Sequence, residues 1–119
     1  MRVVVCGSRD GFSYVDTENF LNRIAKTGVV FSEIICGDAR GVDTHGRLYG
    51  EKYGIAVRRM QADWETHGKR AGYMRNLDML AVADMVVALI YCNSKGTTHT
   101  VKSATEMKMP CYILNRNLK

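Results

Sequence analysis

Long apolar runs are missing from this sequence. No segment approaches the ~18 consecutive apolar residues that a membrane-spanning helix needs, and no charged leader with an apolar stretch precedes the strand-like run that begins at Arg2, so neither a membrane anchor nor export is expected. The four cysteines, Cys6, Cys36, Cys92 and Cys111, never stand at metal-ligand spacing. Each lies in or beside an apolar run, which reads as four buried free thiols in a reducing, cytoplasmic compartment rather than a disulfide framework or a zinc site. His67 likewise has no Cys or Asp partner at ligand spacing, and His45 and His99 are distant in sequence; no metal and no cofactor are expected. Blocks of like charge are also lacking. Lys and Arg number 17 against 12 Asp and Glu, a net charge of +5, yet no basic run exceeds two residues. That scatter fits an ordinary surface better than a nucleic-acid-binding tract, although a positive field would also draw in a small anion.

What is present is alternation. Five strand-like runs, Arg2 to Cys6, Glu33 to Cys36, Ile55 to Met60, Met85 to Tyr91 and Cys111 to Leu114, are separated by helical patterns over Asp16 to Lys26, Val42 to Tyr53, Lys69 to Ala83 and roughly Thr100 to Lys108. Ser13 or Asp16 caps the first helix, Gly54 stops the second, and the single proline, Pro110, ends the last. Inward positions are Phe20, Leu21 and Ile24 in the first helix and Leu48 and Tyr49 in the second. Strict alternation predicts an α/β, Rossmann-like, doubly wound parallel sheet of order 3-2-1-4-5 with helices on both faces. At 119 residues the chain is one domain, and an α/β unit of this size often completes its core by pairing, so a homo-oligomer is expected.

Three strand ends carry small, polar and basic residues: Gly7-Ser8-Arg9-Asp10-Gly11, Gly37-Asp38-Ala39-Arg40-Gly41-Val42-Asp43, and Asn93-Ser94-Lys95-Gly96-Thr97-Thr98. A parallel sheet brings strand C-termini to one edge, with a crevice where the strand order reverses. Strand, glycine turn and helix N-terminus in that order direct backbone N–H groups at one spot, which suits a phosphate. Such glycines also occur as plain connections with no ligand.

Along the helix from Lys69, Met74, Leu77 and Ala81 share one face, and Gly72, Arg75, Asn76 and Met79 the opposite one. An Arg among Gly, Asn and Met is an odd solvent stripe, and it makes sense if Arg75 and Asn76 turn toward a ligand. Trp64, the only tryptophan, either stacks on a base or plugs the edge of the core. Lys69 stands just beyond it in the loop.

Together Gly7-Ser8-Arg9, Gly37 to Asp43, Ala62-Asp63-Trp64, His67-Gly68-Lys69, Ala71-Gly72, Arg75-Asn76, Met79, Ala83-Asp84 and Gly96-Thr97 resemble the YspA-like, YpsA-related branch of the SLOG superfamily. The resemblance implies a pocket for nucleotides or nucleotide-derived ligands, including ADP-ribose-type molecules, carried over to Gly7, Ser8 and Arg9, Gly37 through Asp43, Arg75 and Asn76, and Gly96 through Thr98. Other SLOG members, the cytokinin-activating phosphoribohydrolases, use an Arg before a Met and a Pro-Gly-Gly-x-Gly-Thr-x-x-Glu motif. Arg75 and Met79 look like the first. The second is altered: the Pro-Gly-Gly opening is absent, and Thr100 stands where the catalytic Glu would be. N-glycoside cleavage passes through a sugar cation that a carboxylate stabilises, and a hydroxyl does not replace that charge. The leading expectation is therefore a module that binds a nucleotide-derived small molecule. The alternative is an N-glycosidase using Asp38 or Asp43 with Arg75.

Overall fold

In a computed structural model, which describes residues 1–92 and 94–117, the chain forms a five-stranded parallel sheet of order β3-β2-β1-β4-β5, the order that alternation predicts. The strands are β1 (Arg2–Gly7), β2 (Glu33–Cys36), β3 (Ala56–Arg59), β4 (Met85–Tyr91) and β5 (Cys111–Arg116). The helices are α1 (Tyr14–Ala25), α2 (Val42–Tyr53), a single turn α3 (Trp64–His67), α4 (Ala71–Ala81) and α5 (Lys95–Glu106), with a 3-10 turn over Gly68–Arg70. Asn93, part of the third glycine-bearing loop, lies outside the described residues. Among the described residues, no helix is long and apolar enough to cross a membrane.

The two-residue period of a strand sorts the core into two layers. Val3 and Val5 of β1, with Ile34, Val87 and Leu89, pack under Phe20, Leu21 and Ile24 of α1 and Val42 and Tyr49 of α2. Val4 and Cys6, with Ile35, Val86 and Ala88, meet Met79 and Leu80 of α4 and Ala104 of α5 on the other face. Both faces of β1 and β4 are covered, so Val3 to Cys6 and Met85 to Leu89 are apolar without a break, as buried parallel strands are.

Local chemistry sets the helix ends. Ser13 Oγ accepts from the Asp16 N–H at 3.1 Å while Asp16 Oδ2 accepts from the Ser13 N–H at 2.9 Å. The two expected caps thus act as one reciprocal box, and α1 starts two residues before Asp16. Gly54 closes α2 in the left-handed conformation. Three expectations shift. The last helix starts at Lys95 rather than Thr100, because the Gly96-Thr97-Thr98 run, poor in intrinsic propensity, is held by its fold context. Residues 64–67 form a turn of helix, with Asp63 Oδ1 accepting from the Thr66 N–H at 3.1 Å. The helix expected from Lys69 is interrupted, and its α-helical part begins at Ala71.

The facing of α4 also differs from the expected phase. Its buried positions are Ala71, Asn76, Met79 and Leu80, whereas Leu77 is 47% exposed. An amide at Asn76 displaces an apolar residue from the inner stripe because it finds partners there, described below. Leu48, read as inward, is exposed, and only Tyr49 of that pair is buried. Of the four thiols read as buried, Cys6 and Cys36 are; Cys111 is half-buried and Cys92 exposed.

One side chain ties the sheet's centre at its upper edge. Ser8 Oγ accepts from the Tyr91 N–H at 2.8 Å and donates to the Tyr91 carbonyl at 3.3 Å, and the Ser8 N–H reaches the Leu89 carbonyl at 3.0 Å. The ends of β1 and β4 are thereby joined beyond the ladder itself. Ser8→Ala leaves the Tyr91 N–H without its partner in a half-buried position. It should lower stability by about 1–3 kcal/mol, read as a reduced midpoint in urea unfolding.

Candidate functional site

The strand order reverses between β1 and β4, and a cavity of about 420 Å³ opens there at the C-terminal edge. Its size falls within the range of about 300–1,000 Å³ usual for small-molecule sites. One wall is the end of β1 and the turn beyond it, from Cys6 to Asp10. Ala39 and Asp43 come from the β2–α2 connection, and Arg75 and Asn76 from α4. Tyr91, Ser94, Gly96, Thr97 and Thr100 close it from β4 and the first turns of α5.

Of the residues singled out in the sequence, Gly7, Ser8, Arg9, Ala39, Asp43, Arg75, Asn76, Gly96 and Thr97 therefore meet around one space. The others stand apart from the cavity wall. Gly37 backs onto it: a Cβ there would lie 2.5 Å from Arg75 Nη1 and 2.7 Å from Asp43 Oδ2, so this glycine makes room for those two side chains. Gly41, at φ +80°, lies against the Ser8 and Arg9 carbonyls, and the Val42 N–H donates to the Ser8 carbonyl at 3.3 Å. The glycine turn thus clamps the β1 loop with an N–H that an anion would otherwise take. Asp38 sits behind Arg75, and Arg40 pairs with Asp10 at 3.1 Å out in solvent.

Lys69 is exposed. Trp64, 59% exposed, neither plugs the core nor lines the cavity; its ring edge lies over Gly72 instead. Thr98 faces a different depression. Sequence reasoning missed Cys6, Asp10, Tyr91 and Ser94 as wall residues, although Asp10 continues the Gly7-Ser8-Arg9 run and Ser94 precedes the predicted Gly96-Thr97 pair.

The site's polar frame is fixed by α4. Arg75 Nε donates to Asn76 Oδ1 at 3.0 Å and Nη1 to the Met60 carbonyl at 3.3 Å, with Asp38 Oδ1 3.7 Å from Nη1. Asn76 Nδ2 then donates to the Gly96 carbonyl at 3.4 Å, and that same carbonyl accepts from Thr100 Oγ1 at 3.2 Å. The guanidinium is thus held in one orientation, and α4 is latched to the first turn of α5. That turn has no side-chain cap; its leading N–H groups and the positive end of the helix dipole suit an anion. Ser94 Oγ instead donates to Thr97 Oγ1 at 3.1 Å.

Asp43 is the one buried carboxylate among the described residues, and burial pushes its pKa up to about 6, opposed by the attraction of Arg75 and by the Ala39 N–H, which donates to Oδ2 at 3.4 Å. Burial also drives the Cys6 thiol far above its ordinary value, with the Asp43 carboxylate adding to the effect, so the sulfur at the cavity floor is no nucleophile at neutral pH.

The first part of the chain, residues 1–67, matches the family described as YspA, cpYpsA-related SLOG. The chain belongs to this family. The matched part carries the Gly7-to-Asp10 turn and the Gly37-to-Asp43 connection; Arg75, Asn76 and the α5 turn come from beyond it and join the site by geometry. The chain is also similar to the Gene 61 protein of Mycobacterium phage D29, 34% identical over 83 residues, which is 65% of this chain and 66% of that protein. The match thus spans just under two thirds of the phage protein. No solved structure gives a significant match.

The raised Asp43 pKa has a signed consequence. Between the ordinary carboxylate value of 3.8 and about 6 the folded state holds more protons than the unfolded one, so this group's contribution to stability falls as pH rises through that window. Asp43→Asn removes the penalty. Relative to wild type the ligand-free variant should gain stability from about pH 4 upward and level off above pH 6, by roughly 3 kcal/mol at ~1.4 kcal/mol per pKa unit. Urea unfolding of both proteins at matched pH checks this; a difference independent of pH would mean that Asp43 titrates normally.

Proposed function

We propose that the cavity binds a nucleotide-derived ligand of the ADP-ribose type and holds it without cleaving it. The observation that carries this reading is the pairing of a fixed guanidinium, Arg75, with the uncapped N-terminus of α5 across one cavity at the sheet's reversal. Two phosphates fit such a frame: one on the Gly96 and Thr97 N–H groups, the other between Arg75 and Arg9. Asp43 and Asp10 then serve as acceptors for sugar hydroxyls. Family membership supports the choice of a nucleotide-related ligand. Thr100 supports binding over cleavage, since its hydroxyl is engaged with the Gly96 carbonyl and supplies no carboxylate for a sugar cation.

A second reading rests on Asp43. A buried carboxylate with a pKa near 6, next to an arginine in a cavity, is also how a general base is prepared, and an N-glycosidase would use it on a bound nucleotide. The two readings part on one measurement. Wild type incubated with ADP-ribose or AMP should return the ligand intact by chromatography; free base or free ribose phosphate that disappears in Asp43→Asn would install the hydrolase.

Arg75→Ala should weaken ADP-ribose binding about tenfold or more by calorimetry, because a charge-assisted contact contributes about 1.5–3 kcal/mol. Arg40→Ala, which frees Asp10 at the cavity rim and removes no proposed phosphate contact, should change affinity less than threefold. Equal losses in the two variants would move the phosphates to the Arg40 side.

A further inference from the structure

The side of α5 turned away from the cavity bears a second depression. Lys95, Thr98, His99 and Lys102 recur at three- and four-residue spacing, hence along one stripe of the helix, and with Tyr73 of α4 they enclose about 440 Å³. Its charge is of one sign, for no carboxylate lines it. Tyr73 is 44% exposed and packs against His99 with ring centroids 4.5 Å apart at an interplanar angle of 51°. His99 Nδ1 is buried and has no hydrogen-bond partner among the described residues.

We propose that the α4–α5 groove is a second binding site, and that its ligand is a nucleotide unit: a planar base packed on Tyr73 and His99, with its phosphate held between Lys95 and Lys102. An exposed aromatic face takes any base by stacking, and lysines serve phosphate as mobile point charges. Both requirements are met here in one groove. A second copy of the chain fits poorly, because a two-fold contact at this face would set Lys95 and Lys102 near their own counterparts in a chain that already carries a net charge of +5. An acidic peptide would answer the lysines but gives no reason for the ring stack. The groove is independent of the cavity reading: Thr97 and Thr100 face the cavity, Thr98 and His99 the groove. A free nucleotide and a nucleotide within a single strand offer the same chemistry.

The full chain is titrated into a fluorescein-labelled thymidine oligonucleotide of about a dozen residues, the length that such surfaces span, with anisotropy as readout and dTMP as competitor. Binding should weaken with salt, and Tyr73→Ala and Lys102→Glu should each reduce affinity about tenfold, the size of one base–aromatic stack. Arg9→Ala, which alters the cavity wall without touching α4 or α5, should leave it within twofold. Competition by dTMP identifies the free nucleotide as sufficient; failure of dTMP to compete with a bound oligonucleotide identifies the strand. Both outcomes keep the groove. The proposal is overturned if neither probe binds, if binding is unchanged in both groove variants, or if it is lost in Arg9→Ala. It is equally overturned if sedimentation shows a concentration-dependent dimer that Tyr73→Ala abolishes, which assigns the groove to a second copy. Tyr73 and Lys102 are both exposed, and matching circular-dichroism melts establish that the variants fold.

Discussion

The site is organised around two opposite charges drawn under the edge of a parallel sheet, Asp43 and Arg75. A carboxylate that is 7% exposed would be expelled or neutralised unless a cation stood by it. Arg75 is therefore the residue on which the others converge. Its Nε is held by Asn76 and its Nη1 by the Met60 carbonyl, and Gly37 lacks a side chain where the guanidinium and the carboxylate pass. Through Asn76 the same arginine is linked to the Gly96 carbonyl and so to the first turn of α5. Four chain segments distant in sequence are thus coupled through one guanidinium. A guanidinium whose rotamer freedom has already been lost would bind an anion at a lower entropic cost.

That preorganisation has a cost in stability, visible in the raised pKa of Asp43. A protein optimised only to fold would place an apolar residue there, as replacement of buried ion pairs by packed hydrophobes is often stabilising. Strained electrostatics in a cavity at the reversal of strand order is the pattern of a working site. It does not by itself separate a base that abstracts a proton from an acceptor that holds a sugar hydroxyl. On the α5 side the Thr100 hydroxyl is engaged with the Gly96 carbonyl and brings no carboxylate to the cavity.

The sheet was legible because parallel strands buried on both faces read as dense Val and Ile runs, and right-handed crossovers leave few orders for five of them. The convergence of the Gly7, Gly37-to-Asp43 and Gly96 segments followed from that order, and Arg75 from the odd polar stripe on its helix. What the sequence hid was which atoms of each motif face the cavity. The Gly37-to-Gly41 turn reads as a phosphate cradle, yet Gly41 is engaged with the Ser8 and Arg9 carbonyls; a close backbone approach demands glycine whether the neighbour is a ligand or the chain itself. The phase of α4 was equally hidden. Periodicity put Leu77 with the apolar stripe, but the sheet sets the rotation of the helix, and Asn76 enters the interior because two partners wait there. Trp64 went unassigned for the same reason: its environment is made by Gly72, on a helix whose start was misjudged.

The two faces of α5 show how one short helix can serve two chemistries. Its inner residues, Gly96, Thr97 and Thr100, are small, which lets backbone N–H groups approach the cavity; its outer residues set two long cationic side chains, Lys95 and Lys102, on either side of His99. A helix selected only to cover a sheet would carry apolar residues inward and mixed charge outward. Here Ala104 meets the core, while the first two turns carry no large apolar side chain before Val101. Hydrophobic anchoring is thus concentrated toward the C-terminal half, and the N-terminal half is held by polar contacts to Asn76. Polar latches exchange with water more readily than apolar packing, so the opening turn of α5 is the part of the cavity wall most open to local rearrangement.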